Sequence, residues 1–277
     1  MTFKIVADSS CDLNEELKKE MNISLVPLKI DIGEKYFIDD ENLNIENFLY
    51  TMGNSKTGIR TSSPSPADFM KAYEGGDEIF VVTLSSQLSS TYNNAVLAKK
   101  LTLESTKKFI HIFDSLSASI GETLVSMKIF ELIQKKYDKY EIVRAAEEYI
   151  KEMKTYFILE NLDNLIKAGR LHKIAGRIAS LLSFKPIMGS DGSGNVKLFD
   201  NVRGAKRAFN RLVEIIGENG YKFENKILGI AHCDALEKAE ALKAMIEKKY
   251  NFKEIIILRT GGLSSAYADK GGIVLAF

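Results

Sequence analysis

The sequence predicts an α/β protein in two parts, an N-terminal domain on a mostly parallel sheet and a C-terminal α/β domain on a second sheet. Three observations carry this expectation. Short β-rich runs alternate with longer helical patterns, as strand–helix–strand units do. The length of 277 residues falls between one and two domains at roughly 150 residues each. Three of the predicted strands end in small polar residues just ahead of a helix, where open α/β sheets place their ligand crevice.

Phe3–Ala7 is an apolar run and reads as the first strand, followed by Asp8-Ser9-Ser10. Asp12, with Glu15 three residues on, has the spacing of a capping box, and the helix it opens runs to about Met21. Leu25–Ile32 reads as a strand interrupted by Pro27, which places it at an edge. The loop Thr61-Ser62-Ser63-Pro64-Ser65-Pro66 leads into a helix with Ser65 as cap and Pro66 at its first position, ended by Gly75-Gly76. Glu78–Leu84 is a strand, then come Ser85-Ser86-Gln87-Leu88-Ser89-Ser90-Thr91-Tyr92 and a helix to about Lys100. Lys108–Phe113 is a strand ending in Asp114-Ser115, and two helices follow to about Lys154, where the domain boundary is set: 1–154 and 155–277.

In the second part, Thr155–Leu159 reads as a strand, followed by two short helical stretches split by Ala168-Gly169-Arg170. Phe184–Met188 and Val196–Asn201 form a hairpin about the turn-rich Ser190-Asp191-Gly192-Ser193-Gly194. A helix over Gly204–Glu218, a strand over Lys226–Ala231, a helix over Ala235–Lys249 and strands over Glu254–Leu258 and Gly272–Phe277 complete the pattern.

Composition narrows the function classes. Lys and Arg total 38 against 37 Asp and Glu, a formal charge of +1, which gives no support for a nucleic-acid partner or a polybasic membrane anchor. The two cysteines, Cys11 and Cys233, make no disulfide framework and fit a reducing compartment. An acid, Asp8, comes before any signal-peptide apolar region forms, and no apolar run nears the about 20 residues of a membrane helix. A cytoplasmic protein is expected, with no integral membrane segment and room only for transient membrane contact.

The chemistry sits at the strand ends. Hydroxyls there, beside free helix-start amides, suit a small anion such as a carboxylate or phosphate. Capping alone explains single Ser or Thr residues, but the run Ser85–Thr91 and the loop Thr61–Pro66 hold more hydroxyls than caps require. His111, His172 and His232 lack metal-ligand spacing, and His232-Cys233 reads as packing. Gly262-Leu263-Ser264-Ser265-Ala266 approaches a hydrolase nucleophile elbow, but no His follows it. No catalytic residue, metal or cofactor is expected. Arg170 and Arg203 stand out among Lys173, Arg177, Lys206, Arg207 and Arg211. Arg203, Lys206, Arg207 and Arg211 share one helix face, which is either a solvated basic surface or a dock for an acidic partner or phosphate.

These residues resemble the DegV family of bacterial fatty-acid-binding proteins over almost the whole chain. Asp8-Ser9-Ser10-Cys11-Asp12-Leu13 is similar to the family's Asp-Ser-x-x-Asp-Leu, and Thr61-Ser62-Ser63-Pro64-Ser65-Pro66 to its Thr-Ser-Gln-Pro-Ser-Pro. Ser85-Ser86-Gln87-Leu88-Ser89-Ser90-Thr91-Tyr92 resembles Ser-Ser-x-Leu-Ser-Gly-Thr-Tyr, and Asp114-Ser115, Gly169-Arg170, Lys185-Pro186 and Arg203 follow in order. The resemblance implies two α/β domains with a long-chain fatty acid buried between them. It implies a carboxylate held by Thr61 and Ser89, with Ser62 and Ser90 beside them. It also implies a separate fatty acid kinase subunit that makes acyl-phosphate for phospholipid synthesis and docks at Arg170 and Arg203. Where the family often has His-x-Gly-Pro-Gly, this chain has Tyr267-Ala268-Asp269-Lys270-Gly271, so Tyr267 brings a hydroxyl in place of an imidazole. The rival readings are an enzyme, or a binding module, acting on a small anionic metabolite at the same serine-rich crevice.

Overall fold

The computed structural model of the protein describes residues 2–171 and 184–277. Three sheets organise it, and the α/β class is as expected. The first is parallel, with β1 (Phe3–Asp8) and β6 (Glu78–Thr83) at its centre and β2 (Ser24–Val26) and β7 (Phe109–Asp114) at its edges. All six residues of β6 are buried, and between Glu78 and Thr83 it reads as the continuous apolar run Ile79–Val82, as strands covered on both faces do. Side chains alternate across this sheet. Val6, Ile79 and Val81 pack on α3 (Pro66–Ala72) and α4 (Thr91–Leu103). Ile5, Ala7, Phe80 and Val82 pack on α5 (Ile120–Gln134) and α6 (Lys139–Glu152).

The second sheet is mixed, in the order β10 (Val196–Val202), β9 (Lys185–Ser190), β8 (Thr155–Ile158), β13 (Ile273–Ala276), β11 (Ile227–His232), β12 (Glu254–Arg259). Its outer face is covered by α8 (Ala205–Asn219) and α9 (Leu236–Glu247), which bury Leu212, Ile216, Leu242 and Ile246. Its inner face meets α5, and Gly229 makes this approach possible because a Cβ there would collide with Ile120. Ala231, Leu258 and Ala276 therefore share one core with Phe80 and Leu124. Helix α5 is the common layer between the two sheets.

The third sheet was not anticipated. It is antiparallel, in the order β4 (Lys35–Ile38), β3 (Lys29–Ile32), β5 (Ile59–Ser62), and α2 (Ile45–Asn54) packs on it through Phe48 and Met52. The single strand expected over Leu25–Ile32 is two strands in two sheets, because Pro27 lacks the N–H that would carry the ladder across. The expected cap at Asp12 is also corrected. Helix α1 (Glu15–Met21) is capped by Asn14, whose side chain accepts from the Leu17 N–H at 2.8 Å, while Asp12 is buried elsewhere. Ser65 does cap α3, in a reciprocal box with Asp68, and Pro66 opens the helix.

The hairpin forms as expected: Asp191 gathers the Ser193 and Asn195 N–H groups at 2.8 and 3.1 Å. The first short helical stretch is α7 (Asp163–Lys167). The second, with His172, Lys173 and Arg177, lies outside the described residues. A further helix, α10 (Gly262–Ala268), occupies the segment weighed as a nucleophile elbow. Among the described residues no helix is long and apolar enough to cross a membrane.

Candidate functional site

The strand-end acids are fasteners. Asp8, fully buried, accepts from the Ser10 and Leu84 N–H groups at 2.9 and 2.8 Å, locking the loop after β1 to the loop after β6. Asp114 accepts from Ser86 and Leu116 N–H, each at 3.1 Å, and so joins the loops after β6 and β7. Ser85 donates to the Gly194 carbonyl at 2.9 Å, tying this cluster to the β9–β10 hairpin. Ser9 Oγ accepts from the Leu28 N–H at 3.0 Å and Ser115 Oγ donates to the Ser117 carbonyl at 3.2 Å, so several of the hydroxyls that the crevice rule picks out serve loop geometry.

The fastened loops line a cavity together with residues of the second sheet and α10. Its body is apolar, with Leu84, Leu116, Phe157, Leu159, Leu165 and Val274 among the wall residues. Hydroxyls interrupt this wall at Ser10, Thr61, Ser89, Ser119, Ser264 and Tyr267. Much of their hydrogen-bonding capacity is turned into the protein. Ser10 Oγ accepts from the Ser119 N–H at 3.1 Å, Ser119 Oγ donates to Asp12, and Ser117 and Thr155 pair at 2.7 Å. A wall of that kind is oxygen-bearing yet offers few free donors along its length.

Thr61 Oγ1 and the Tyr267 hydroxyl lie 2.7 Å apart, both half-buried on the cavity wall. Ser89 also faces the cavity, and its Oγ pairs with buried Thr91 at 2.8 Å. Ser62 and Ser90 do not line this cavity. Strand alternation turns Ser62 to the opposite face from Thr61, and Ser90 is exposed and bonded to Ser63 at 2.7 Å. Ser90 belongs instead to an adjoining polar pocket with Gln87, Asn93 and Arg170.

Arg170 borders both pockets. Gly169 at φ +76° turns the chain so that the Arg170 side chain reaches back, donating from Nε to the Leu88 carbonyl at 3.1 Å and from Nη1 to the Ala168 carbonyl at 2.6 Å. It is half-buried, and its side chain lines the apolar cavity as well as the polar pocket. Arg203 is exposed, just ahead of the Gly204 that starts α8. Arg211 is held by Asp200, Glu214 and Glu218, which leaves the basic face narrower than its spacing implies.

The sequence reading did not anticipate that four acids, Asp8, Asp12, Asp39 and Glu122, are buried. Burial pushes the Asp8 and Asp12 carboxyls up to about 7. Glu122 is pushed well above the usual carboxylate range by burial and then by the nearby Asp8 and Asp12 charges. Asp39 is also raised by burial, against the pull of the Leu263 N–H it accepts. Asp12 accepts from Ser119 Oγ and from the Gly261 N–H, the latter at 2.7 Å, and Ser119 sits at φ +59° under that restraint. The available signal was the second acid of Asp8-Ser9-Ser10-Cys11-Asp12, which the capping-box spacing masked. Among the described residues no group of three or more His, Cys, Asp or Glu is placed to hold a metal ion.

Comparison with known proteins gives one consistent answer. The family model described as "Uncharacterised protein, DegV family" matches residues 2–277. A DegV domain-containing protein of Streptococcus pyogenes serotype M1 is 36% identical over 280 residues, spanning 100% of this chain and 99% of its own. Among solved structures, a DegV family protein from Ruminococcus gnavus described with vaccenic acid superposes with a TM-score of 0.95 at 36% identity, covering 100% of this chain and 99% of that one. The Streptococcus pneumoniae Fatty Acid Kinase (Fak) B3 protein loaded with linoleic acid superposes with a TM-score of 0.91 at 31% identity, with 100% and 99% coverage.

Proposed function

This chain belongs to the DegV family, and from that premise we propose that it binds one long-chain fatty acid in this cavity. The carboxylate lies at Thr61, Ser89 and Tyr267, and the acyl chain runs along Leu116, Phe157, Leu159 and Val274. The observation that carries this reading is the apolar cavity whose wall hydroxyls are largely engaged with the protein, with a hydroxyl pair at Thr61 and Tyr267. Solved relatives bound to vaccenic and linoleic acids support it.

The energetics favour a chain-bearing ligand. Burying methylenes is worth roughly 0.8 kcal/mol each, so about 16 carbons give a gross driving force near 12 kcal/mol before costs. Each hydrogen bond to the charged head group adds about 1.5–3 kcal/mol. The tunnel sets affinity and the hydroxyls set direction. A small anionic metabolite would leave the leucine and phenylalanine wall without a partner, so that alternative is the weaker one.

The protein then acts as a carrier, presenting the acid to a separate fatty acid kinase subunit that performs the phosphoryl transfer. Likeness to the Fak B3 protein supports this step. Arg203 and the outer edge of Arg170 are its proposed docking points. The chain divides near residue 154 in this scheme, and the ligand sits where the parts meet.

Solvent extraction of purified protein followed by mass spectrometry tests the proposal. The expected result is a long-chain fatty acid at near one-to-one stoichiometry. Extracts holding only polar metabolites, with no displacement of a fluorescent fatty acid, would overturn it.

A further inference from the structure

We infer that Asp39 is the positioning residue for the head-group hydroxyl of Tyr267, acting through the start of α10. The inference rests on the fatty-acid reading above and extends it to a residue outside the cavity wall.

A helix start carries N–H groups with no partner inside the helix. At α10 three consecutive ones are satisfied by buried acids from elsewhere in the chain. Gly261 N–H meets Asp12 at 2.7 Å, and Gly262 and Leu263 N–H meet the two Asp39 oxygens at 2.8 Å each. Asp39 is 7% exposed and follows β4 directly. The close fit leaves no slack, since a Cβ on Gly262 would collide with Leu43 and with the Asp39 carboxylate.

Asp39 and Thr61 are held by the same strand. Strand β3 pairs Lys29 with Ile38 on one side and Ile30 with Thr61 on the other. The outer strands of such a sheet stand about 9.6 Å apart, two strand spacings. From Gly262 to Tyr267 a helix rises about 7.5 Å. One rigid sheet thus holds both the anchor of the helix start and the hydroxyl that its later turn must reach. Leu263 and Tyr267, four residues apart, lie on one helical face, and both line the cavity. If the clamp slips, α10 shifts and the 2.7 Å meeting of Tyr267 with Thr61 is lost. The Arg259–Glu46 ion pair at 2.5 Å ties β12 to α2 nearby but touches no part of α10.

The test compares palmitic acid with hexadecanol, whose chains match and whose head groups differ. The wild-type protein is expected to prefer the acid. Asp39→Asn leaves one of the two amides without its acceptor and should cut acid affinity about tenfold with little effect on the alcohol, as Tyr267→Phe should. Adding Tyr267→Phe to Asp39→Asn should then cost nothing more. Gly262→Ala, which displaces the helix start while keeping the carboxylate, should give the same loss of preference and serves if Asp39→Asn folds poorly. If both variants keep the full acid preference, or lose acid and alcohol binding equally, Asp39 is a stability residue only and the inference fails. Wild-type protein that binds neither probe overturns the fatty-acid reading itself, and the inference with it.

Discussion

The Tyr267 hydroxyl and Thr61 Oγ1, 206 positions apart in the chain, meet at 2.7 Å in the cavity wall. Tyr267 arrives on α10, which leads from the second sheet, and Thr61 on an edge strand of the small antiparallel sheet. The pair forms part of the cavity wall. In a site free of ligand each hydroxyl satisfies the other, and a carboxylate replaces that neutral bond with charge-assisted ones, which are stronger.

Thr61→Val and Ser89→Ala should therefore each weaken fatty-acid binding by about 1–3 kcal/mol, with the matching fatty alcohol much less affected. Thr61→Val and Tyr267→Phe together should cost less than the sum of the two, because they share one hydrogen bond. Isothermal titration with acid and alcohol reads both effects. Equal losses for the two ligands would assign these residues to packing.

Why the small sheet escaped a sequence reading is instructive. Lys29–Ile32 and Lys35–Ile38 are four-residue strands separated by a two-residue turn, and only Ile30 and Ile32 are deeply buried on the first. Such stretches are too short for alternation to stand out. Strand β6 is legible because Ile79–Val82 is an unbroken apolar, largely β-branched run, as a strand buried on both faces gives. Thr61 and Ser89 were found through hydroxyl density and family likeness. Asp39 could not be, since its role is a contact with amides 223 and 224 positions away. A lone Asp after a strand reads as a turn residue. Tyr267 was legible by position, but the helix beneath it, Gly262-Leu263-Ser264-Ser265-Ala266, has neither a capping side chain nor apolar periodicity to announce it.

The buried acids predict a falling stability profile. Asp8 and Asp12 titrate near 7 when folded and near the ordinary carboxylate value when unfolded, so across that interval the native state holds protons that the unfolded state has lost. Their contribution to stability is full below the unfolded value, declines as pH rises, and levels off above about 7. His111 and His232, lowered chiefly by burial, act in the opposite sense just below their ordinary value. The raised carboxyls outnumber them once Asp39 and Glu122 are counted. Urea denaturation should give a higher midpoint at about pH 5.5 than at about pH 7.5. Glu122, fully buried with its carboxyl pushed well above the usual carboxylate range, is the best handle. Glu122→Met, similar in shape, should keep the fold and flatten the profile. A steeper profile in that variant would contradict this account.

Gly194 is a second point where backbone and site meet. It sits at φ +88°, lines the cavity, and accepts the Ser85 hydroxyl bond on its carbonyl. A Cβ there would overlap Ser85 Oγ and press on Leu116 Cα at 3.3 Å. Gly194→Ala should cost about 1–3 kcal/mol in stability and weaken lipid binding by displacing the loop that carries Ser89. Thermal melts with and without palmitic acid would show both. An unchanged ligand-induced shift would mean that the hairpin is not coupled to the binding loop.

The two arginines should separate when tested together. Arg203 is exposed and does not line the cavity, so Arg203→Ala should leave lipid affinity and melting temperature as they are. Acyl-phosphate formation with the matching kinase should fall severalfold, and more steeply at raised salt, because exposed charge pairs are screened. Arg170 has a double position. Its Nε bond to the Leu88 carbonyl steadies the segment that presents Ser89, so Arg170→Ala should lower kinase output and lipid affinity together. Arg170→Lys keeps the charge but cannot reproduce the two-directional bonding to Leu88 and Ala168. It should therefore recover more of any docking effect than of the lipid effect. Lipid titration beside a coupled kinase assay reads the split. Arg203→Ala losing lipid binding as well would move that residue into the ligand site and remove the basis for a separate docking surface.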